Sequence, residues 1–140
     1  MIQDLQGRTH TYLRISLTDN CNLRCFYCMP EEDYDFTPVS RLMQADEIES
    51  LAKTFVDLGV NKIRLTGGEP LVRKDAADII LRLSKLPVKL TLTTNATRVH
   101  DFIETFEKAD LTSLNVSLDT LDPQRFRRLT APTHPNAAGR

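Results

Sequence analysis

Lys62-Ile63-Arg64-Leu65-Thr66-Gly67-Gly68 alternates polar and apolar side chains for five residues and then breaks on two glycines. Period two places Ile63 and Leu65 on one face and Arg64 and Thr66 on the other, the pattern of a half-buried β-strand that ends in a turn. Three more stretches read the same way: Leu13-Arg14-Ile15-Ser16-Leu17, Val88-Lys89-Leu90-Thr91-Leu92-Thr93 and Leu114-Asn115-Val116-Ser117-Leu118. Between and after them the apolar spacing becomes helical. Ile48, Leu51, Phe55 and Leu58 form one stripe, with Gly59 where a C-terminal cap belongs. Ala76, Ile79, Ile80 and Leu83 form the next, opened by Asp75 as N-cap and stopped by Pro87. Val99, Phe102, Ile103 and Phe106 form a third, and a fourth starts at Asp122-Pro123 and carries Phe126 and Leu129.

Strands alternating with helices predict an α/β fold with parallel strands and crossover connections. Parallel strands covered on both sides usually read as continuous apolar runs. Here each strand keeps a polar face: Arg14 and Ser16, Arg64 and Thr66, Lys89, Thr91 and Thr93, Asn115 and Ser117. An antiparallel sheet with one wet face is the bland alternative, and the intervening helices count against it. The pattern fits a curved sheet, apolar toward its helices and polar toward a cavity. With Arg14, Arg64 and Lys89 on the polar side, that cavity suits an anionic small molecule. A complete eight-unit barrel needs roughly 200 residues or more, and the chain has 140. Four βα units predict a partial TIM-like barrel over residues 1–130, the N-terminal portion of a larger domain. Its open strand edge would invite self-association. Residues 131–140 show no periodicity and read as a disordered tail.

Composition narrows the function classes. Lys plus Arg number 18 and Asp plus Glu 19, a net charge of −1 that gives no support for nucleic-acid binding. No apolar run has spanning length and no signal-peptide pattern opens the chain, so a cytoplasmic, non-membrane protein is expected. The three cysteines all fall in Asp19-Asn20-Cys21-Asn22-Leu23-Arg24-Cys25-Phe26-Tyr27-Cys28, directly after the first strand. A disulfide framework is a poor fit for an odd, clustered set, and a metal or redox site leads. A buried helical stripe of thiols is one alternative, although Asn20, Asn22 and Pro30 make a poor helix. Zinc is another, although structural zinc takes four ligands and His10, His100 and His134 have no ligand spacing to the loop. Iron–sulfur clusters normally take four cysteines. Three would leave one iron of a four-iron cluster open to an exogenous ligand.

The C-x3-C-x2-C loop after the first strand, together with Gly67-Gly68-Glu69-Pro70 after the second, resembles the radical S-adenosylmethionine (radical SAM) enzymes. Further elements narrow the likeness: Leu13 to Asp19, Cys28-Met29-Pro30, Lys62 to Leu71, Leu92-Thr93-Thr94-Asn95 and Asn115 to Asp119. In that order they resemble the GTP 3′,8-cyclase family of molybdenum-cofactor biosynthesis (MoaA), from about Leu13 to Leu129. The resemblance implies a lyase that uses a 4Fe-4S cluster and SAM to convert GTP to (8S)-3′,8-cyclo-7,8-dihydroguanosine 5′-triphosphate, fed by an electron donor. It implies Cys21, Cys25 and Cys28 as cluster ligands, Tyr27, Gly68 and Ser117 as SAM contacts, and Arg14, Arg64 and Thr93 as GTP contacts. No side chain is implied as catalytic, because the cofactors carry the chemistry. Glu69 reads equally as a further SAM contact or as a helix N-terminal charge.

Two departures stand out. Ala96 replaces the glycine that the family usually carries after Thr-Thr-Asn, which matters only if the backbone there takes positive φ. The family's second cysteine triad, for a second 4Fe-4S cluster, lies in a C-terminal part that these 140 residues do not contain. Weak or absent turnover by this chain alone is therefore expected. Two other readings remain at this point: a different radical SAM enzyme, such as a peptide-modifying maturase, or a non-catalytic truncated metal-binding product.

Overall fold

Four parallel strands stand side by side in chain order: β1 (Tyr12–Ser16), β2 (Lys62–Thr66), β3 (Lys89–Thr94) and β4 (Ser113–Val116). The helices are α1 (Ala45–Asp57), α2 (Ala76–Leu83), α3 (Ile103–Lys108) and α4 (Pro123–Thr130). The computed structural model of the chain describes residues 1–29 and 34–131. The tail expected over 131–140 lies, beyond Ala131, outside the described residues, as does Pro30. The sheet does not close; β1 and β4 are its edges. The architecture is the partial barrel that the alternation predicts.

Alternation also sorts the faces. Ile15, Ile63, Leu65, Leu90 and Leu92 are buried on the helix side with Ile48 and Ala52 of α1 and Ala76, Ile79, Ile80 and Leu83 of α2. Parallel register aligns the opposite face in rows: Tyr12, Lys62 and Lys89 at the strand starts, then Arg14, Arg64 and Thr91, then Ser16 and Thr66. Lys89 therefore sits about 7 Å of strand below the Arg14–Arg64 row, at the end away from the strand C-termini. Thr91 departs from the wet-face expectation. It is 1% exposed, and its hydroxyl donates to the Ile63 carbonyl at 3.1 Å.

Three helical expectations need correction. In α1 the inward face runs through Ile48, Ala52 and Phe55, while Leu51 and Leu58 are exposed. Ile48 and Phe55 face inward as expected, but the fully buried Ala52 stands between them in place of Leu51. Gly59 follows α1 with φ 106°, a left-handed helix end. The third stripe splits into a 3₁₀ turn (Val99–Asp101) and the short α3, which turns Phe102 in and leaves Ile103 exposed. The stripe of α4 is half-buried, but Phe126 and Leu129 are not part of the sheet's core. Instead its C-terminal turn reaches the cysteine loop. Asp122 caps α4 as expected, accepting from Arg125 N at 2.7 Å. Asp75 stands at the N-cap of α2 but makes no cap bond; its carboxylate pairs with Arg73.

Candidate metal centre

Leaving β1, the chain does not turn at once but runs on beside β2. Leu17 N donates to Thr66 O at 2.9 Å, Gly68 N to Thr18 O at 2.7 Å and Glu69 N to Asn20 O at 2.8 Å. This contact explains the glycine pair. Gly67 has φ 150°, and a Cβ on Gly68 would overlap the carbonyl oxygens of Asn20 and Asp19, the latter at 2.6 Å. The two glycines make room for the backbone that leads into Cys21. Glu69 is 1% exposed and acts as an internal brace: its carboxylate accepts from Leu71 N at 3.1 Å, Thr94 Oγ1 at 2.6 Å and Asn95 N at 2.7 Å. Glu69 also caps the 3₁₀ turn Pro70–Val72, as the helix-terminus reading expects.

The loop is tied down on two more sides. From β3, Asn95 Nδ2 donates to Asn22 Oδ1 at 2.9 Å and lies 4.0 Å from Cys21 Sγ, and Asn22 Nδ2 donates to Thr97 Oγ1 at 2.8 Å. From the β4–α4 side, the Tyr27 hydroxyl donates to Asp119 Oδ2 at 2.6 Å. There, Arg24 N also donates to Thr130 O at 2.8 Å and Phe26 N to Leu129 O at 3.2 Å. The last turn of α4, with its unsatisfied carbonyls, thus serves as a ledge for the loop. Asn95 holds its pose through an Asx turn, accepting from Thr97 N at 3.1 Å and Thr97 Oγ1 at 2.7 Å. Ala96 at its centre has φ 65°, so the family's glycine position does need the left-handed conformation.

Cys21 and Cys25 are half-buried and Cys28 is exposed; all are free thiols. Burial pushes the Cys21 thiol above its ordinary range, opposed by the Leu23 N–H at 3.5 Å from its sulfur and by Arg24, and reinforced by the Glu69 charge. The bond to Asp119 holds the Tyr27 phenol well above its ordinary range. Among the described residues, no three His, Cys, Asp or Glu side chains converge closely enough to share one metal ion. A four-iron cluster does not ask that of them, since each thiolate binds its own iron. The donor set of three free thiols on one pinned loop fits a cluster with one open iron.

The other predicted contacts fall into two groups. Gly68 abuts the loop, and Ser117, whose N–H donates to Thr94 O at 2.9 Å, lies just past β4. Tyr27, Gly68 and Ser117 are thus gathered at the C-terminal ends of the strands, where such sheets carry their sites. On the polar face, Arg14 and Arg64 are neighbours in register and Arg64 Nη1 donates to Thr93 Oγ1 at 3.1 Å. Neither arginine has a carboxylate partner among the described residues, and Arg64 Nε is buried with no hydrogen-bond partner.

The family model for the radical SAM superfamily matches residues 15–138. The chain belongs to the radical SAM superfamily. Among curated proteins, this radical SAM chain is 53% identical over 132 residues to the mitochondrial GTP 3′,8-cyclase of Arabidopsis thaliana, covering 93% of the chain and 34% of that protein. It is 50% identical over 127 residues to molybdenum cofactor biosynthesis protein 1 of Homo sapiens, covering 89% of the chain and 20% of that protein. Against the GTP 3′,8-cyclase of Listeria monocytogenes the figures are 44% over 132 residues, 93% and 40%. The chain thus spans two fifths or less of these relatives. Among solved structures, Streptococcus suis SuiB bound to the precursor peptide SuiA superposes with a TM-score of 0.73 at 26% identity, over 86% of this chain and 27% of that one. BtrN in complex with AdoMet and 2-DOIA superposes at 0.68 and 16% identity, over 87% of this chain and 51% of that one, a likeness of fold. No helix among the described residues is long and apolar enough to cross a membrane.

Arg24, Asn95, Asp119 and the α4 carbonyls were not singled out from the sequence. Only Asn95 carried a local signal, an amide two residues after Thr93 at a strand end. Asp119 and the α4 carbonyls act across separations that no local pattern encodes, and the Arg24 side chain turns back onto its own loop.

Proposed function

We propose that this chain forms the cluster- and nucleotide-binding front part of a GTP 3′,8-cyclase. Cys21, Cys25 and Cys28 would hold the 4Fe-4S cluster, and Tyr27, Gly68 and Ser117 would line the SAM site. Arg14, Arg64 and Thr93 would face GTP. When bound, cluster and SAM supply one-electron reductive cleavage and hydrogen abstraction; the protein positions them. The pinned loop fixes where the thiolates stand before anything binds, so little ordering remains to oppose binding. Glu69, buried and fully bonded, braces the β2 and β3 ends beneath that loop rather than touching ligand. The observation that carries the GTP assignment is Arg64: among the described residues its buried Nε has no partner and the neighbouring Arg14 has no carboxylate, which suits an anionic or carbonyl-rich ligand on the polar face. Purine and triphosphate offer both.

The test is anaerobic reconstitution with iron and sulfide. The reading expects about four irons per chain, an electron paramagnetic resonance signal altered by SAM, and GTP binding that weakens at least tenfold in Arg64→Ala. Tight zinc in place of iron, or a signal indifferent to SAM, refutes the cluster assignment. GTP affinity unchanged by loss of both arginines refutes the substrate. The likeness to peptide-bound SuiB favours a second reading, a peptide-modifying enzyme, which that last outcome would support. Weak or absent cyclisation by the 140-residue chain alone remains the expectation.

A further inference from the structure

Arg24 lies between two of the three cysteines, and its side chain turns back into the loop. Its Nη1 donates to Cys21 O at 2.7 Å and to Leu23 O at 2.9 Å. The guanidinium carbon lies 5.2 Å from the centre of the Phe36 ring and 5.7 Å from that of Tyr34. Those two rings stack at 5.8 Å with planes 21° apart. Their segment is itself fastened to the start of the loop: Thr37 N and Thr37 Oγ1 donate to Asp19 Oδ2 at 2.9 and 2.7 Å. The main chain of Arg24 is fixed independently by Thr130 O at 2.8 Å.

This is an arrangement for which arginine is suited and lysine is not. A planar guanidinium can bridge two carbonyls with one nitrogen while its face lies against aromatic rings; an ammonium makes the charge contact without the planar one. The two carbonyls bracket Asn22, so the bridge closes the Cys21–Leu23 turn from inside. The same side chain keeps a permanent positive charge within the loop that carries Cys21 and Cys25, thiols that must ionise to bind iron. Net charge and local electrostatics are among the levers that set an iron–sulfur potential.

We propose that Arg24 is a positioning residue for the iron–sulfur cluster: its bridged and ring-covered guanidinium holds the Cys21–Cys25 span folded and sets a fixed cation beside the thiolates. The proposal rests on the cluster reading above. It separates two roles that substitutions can part. Arg24→Gln removes both charge and fork. Arg24→Lys keeps the charge and loses the planar bridge.

The experiment uses the 140-residue chain, reconstituted anaerobically as parent, Arg24→Lys and Arg24→Gln. Three quantities are read: the rate of cluster bleaching by a chelator, the midpoint potential from a redox titration followed by electron paramagnetic resonance, and the circular dichroism melt of each apoprotein. Both variants should bleach at least fivefold faster than the parent. The potential of Arg24→Gln should fall below the parent's, since an added electron loses a nearby cation, while Arg24→Lys stays close to the parent. The apoprotein melts should coincide, because the fold's core lies elsewhere; a variant that melts early is replaced by Tyr34→Leu plus Phe36→Leu, which strips the ring cover and should also speed bleaching. Parental bleaching rates and potentials in all variants overturn the role of Arg24. If the parent itself takes up no four-iron cluster, the cluster reading falls and this inference with it, an outcome seen before any variant is made.

Discussion

Ala96 offers the sharpest test of the loop geometry, because one Cβ decides the sign of the effect. The residue has φ 65°, where an L side chain crowds its own backbone at a cost of about 1–2 kcal/mol. Ala96→Gly removes that crowding but loosens the unfolded chain by about 0.4–1 kcal/mol. The difference is a net stabilisation of about 0.5–1 kcal/mol, or about 2–4 °C in melting temperature. Nothing else should change: Ala96 N donates to Thr94 Oγ1 at 3.1 Å and Val99 N to Ala96 O at 3.2 Å, bonds that glycine keeps. Urea unfolding of the apoprotein followed by circular dichroism should show the midpoint rising by about 0.3–0.6 M at constant slope. Ala77→Gly, inside α2, is the control and should lose about 1 kcal/mol. Ala96→Val should also lose stability, because β-branching is least tolerated at positive φ. If Ala96→Gly destabilises the chain as Ala77→Gly does, the turn is not left-handed, and the placement of Asn95 against the cysteine loop goes with it.

Three further outcomes follow from the same contacts. Gly68→Ala should cost about 1–3 kcal/mol and cut cluster loading, since the new Cβ meets the Asn20 and Asp19 carbonyls; iron per chain and a urea melt read both effects. In the apoprotein, iodoacetamide with mass spectrometry should label exposed Cys28 first and Cys21 last, because Cys21 is half-buried and its thiol is pushed up by that burial. The Arg73 bond holds the Asp75 carboxyl below its ordinary 3.8, so it stabilises the fold above about pH 4 and that contribution is lost as pH falls through the lower folded value. Asp75→Asn should therefore lower stability at pH 7 and flatten its acid dependence below pH 4; an unchanged pH profile would show the Arg73 pairing to be idle.

How much of this was legible in the residues differs by level. The strands were in the main, because period two put Ile63, Leu65, Leu90 and Leu92 on the core side and Arg14, Arg64 and Thr93 on the polar face, whereas Thr91 is buried and Val116 and Leu118 at the edge are exposed. The cysteine loop was, because three thiols in eight residues have few other uses. The helix faces were read less well where a small residue carries the packing, as Ala52 does in place of Leu51. Least legible was the mounting of the loop. Tyr27 and Asp119 are 92 residues apart and Asn22 and Thr97 are 75; each pair is an ordinary polar couple that means nothing until the fold joins it. Gly68 carries a signal that does not name its neighbour. Its signal, a glycine at a strand end, is the same whether the close neighbour is a ligand or another stretch of backbone.

That last ambiguity separates two kinds of residue at this site. The loop's supports are satisfied within the chain: Glu69, Asn95, Asp119 and the α4 carbonyls all have their partners already. Arg64 does not, with one buried nitrogen left over, and Arg14 stands beside it unpaired among the described residues. Like charges side by side on neighbouring strands repel, although Arg14 is exposed and water screens it, and buried polar groups are rarely left without a partner. On the proposed reading, an anionic or acceptor-rich ligand would supply the partner that Arg64 Nε lacks among the described residues. Substitution of the supports should therefore damage stability and cluster loading together. Substitution of Arg14 or Arg64 by a neutral residue should leave the fold as stable or more so, and weaken only the ligand. A destabilised Arg64→Met apoprotein would mean that Arg64 is itself a support, and the polar face would lose its claim to be a binding surface.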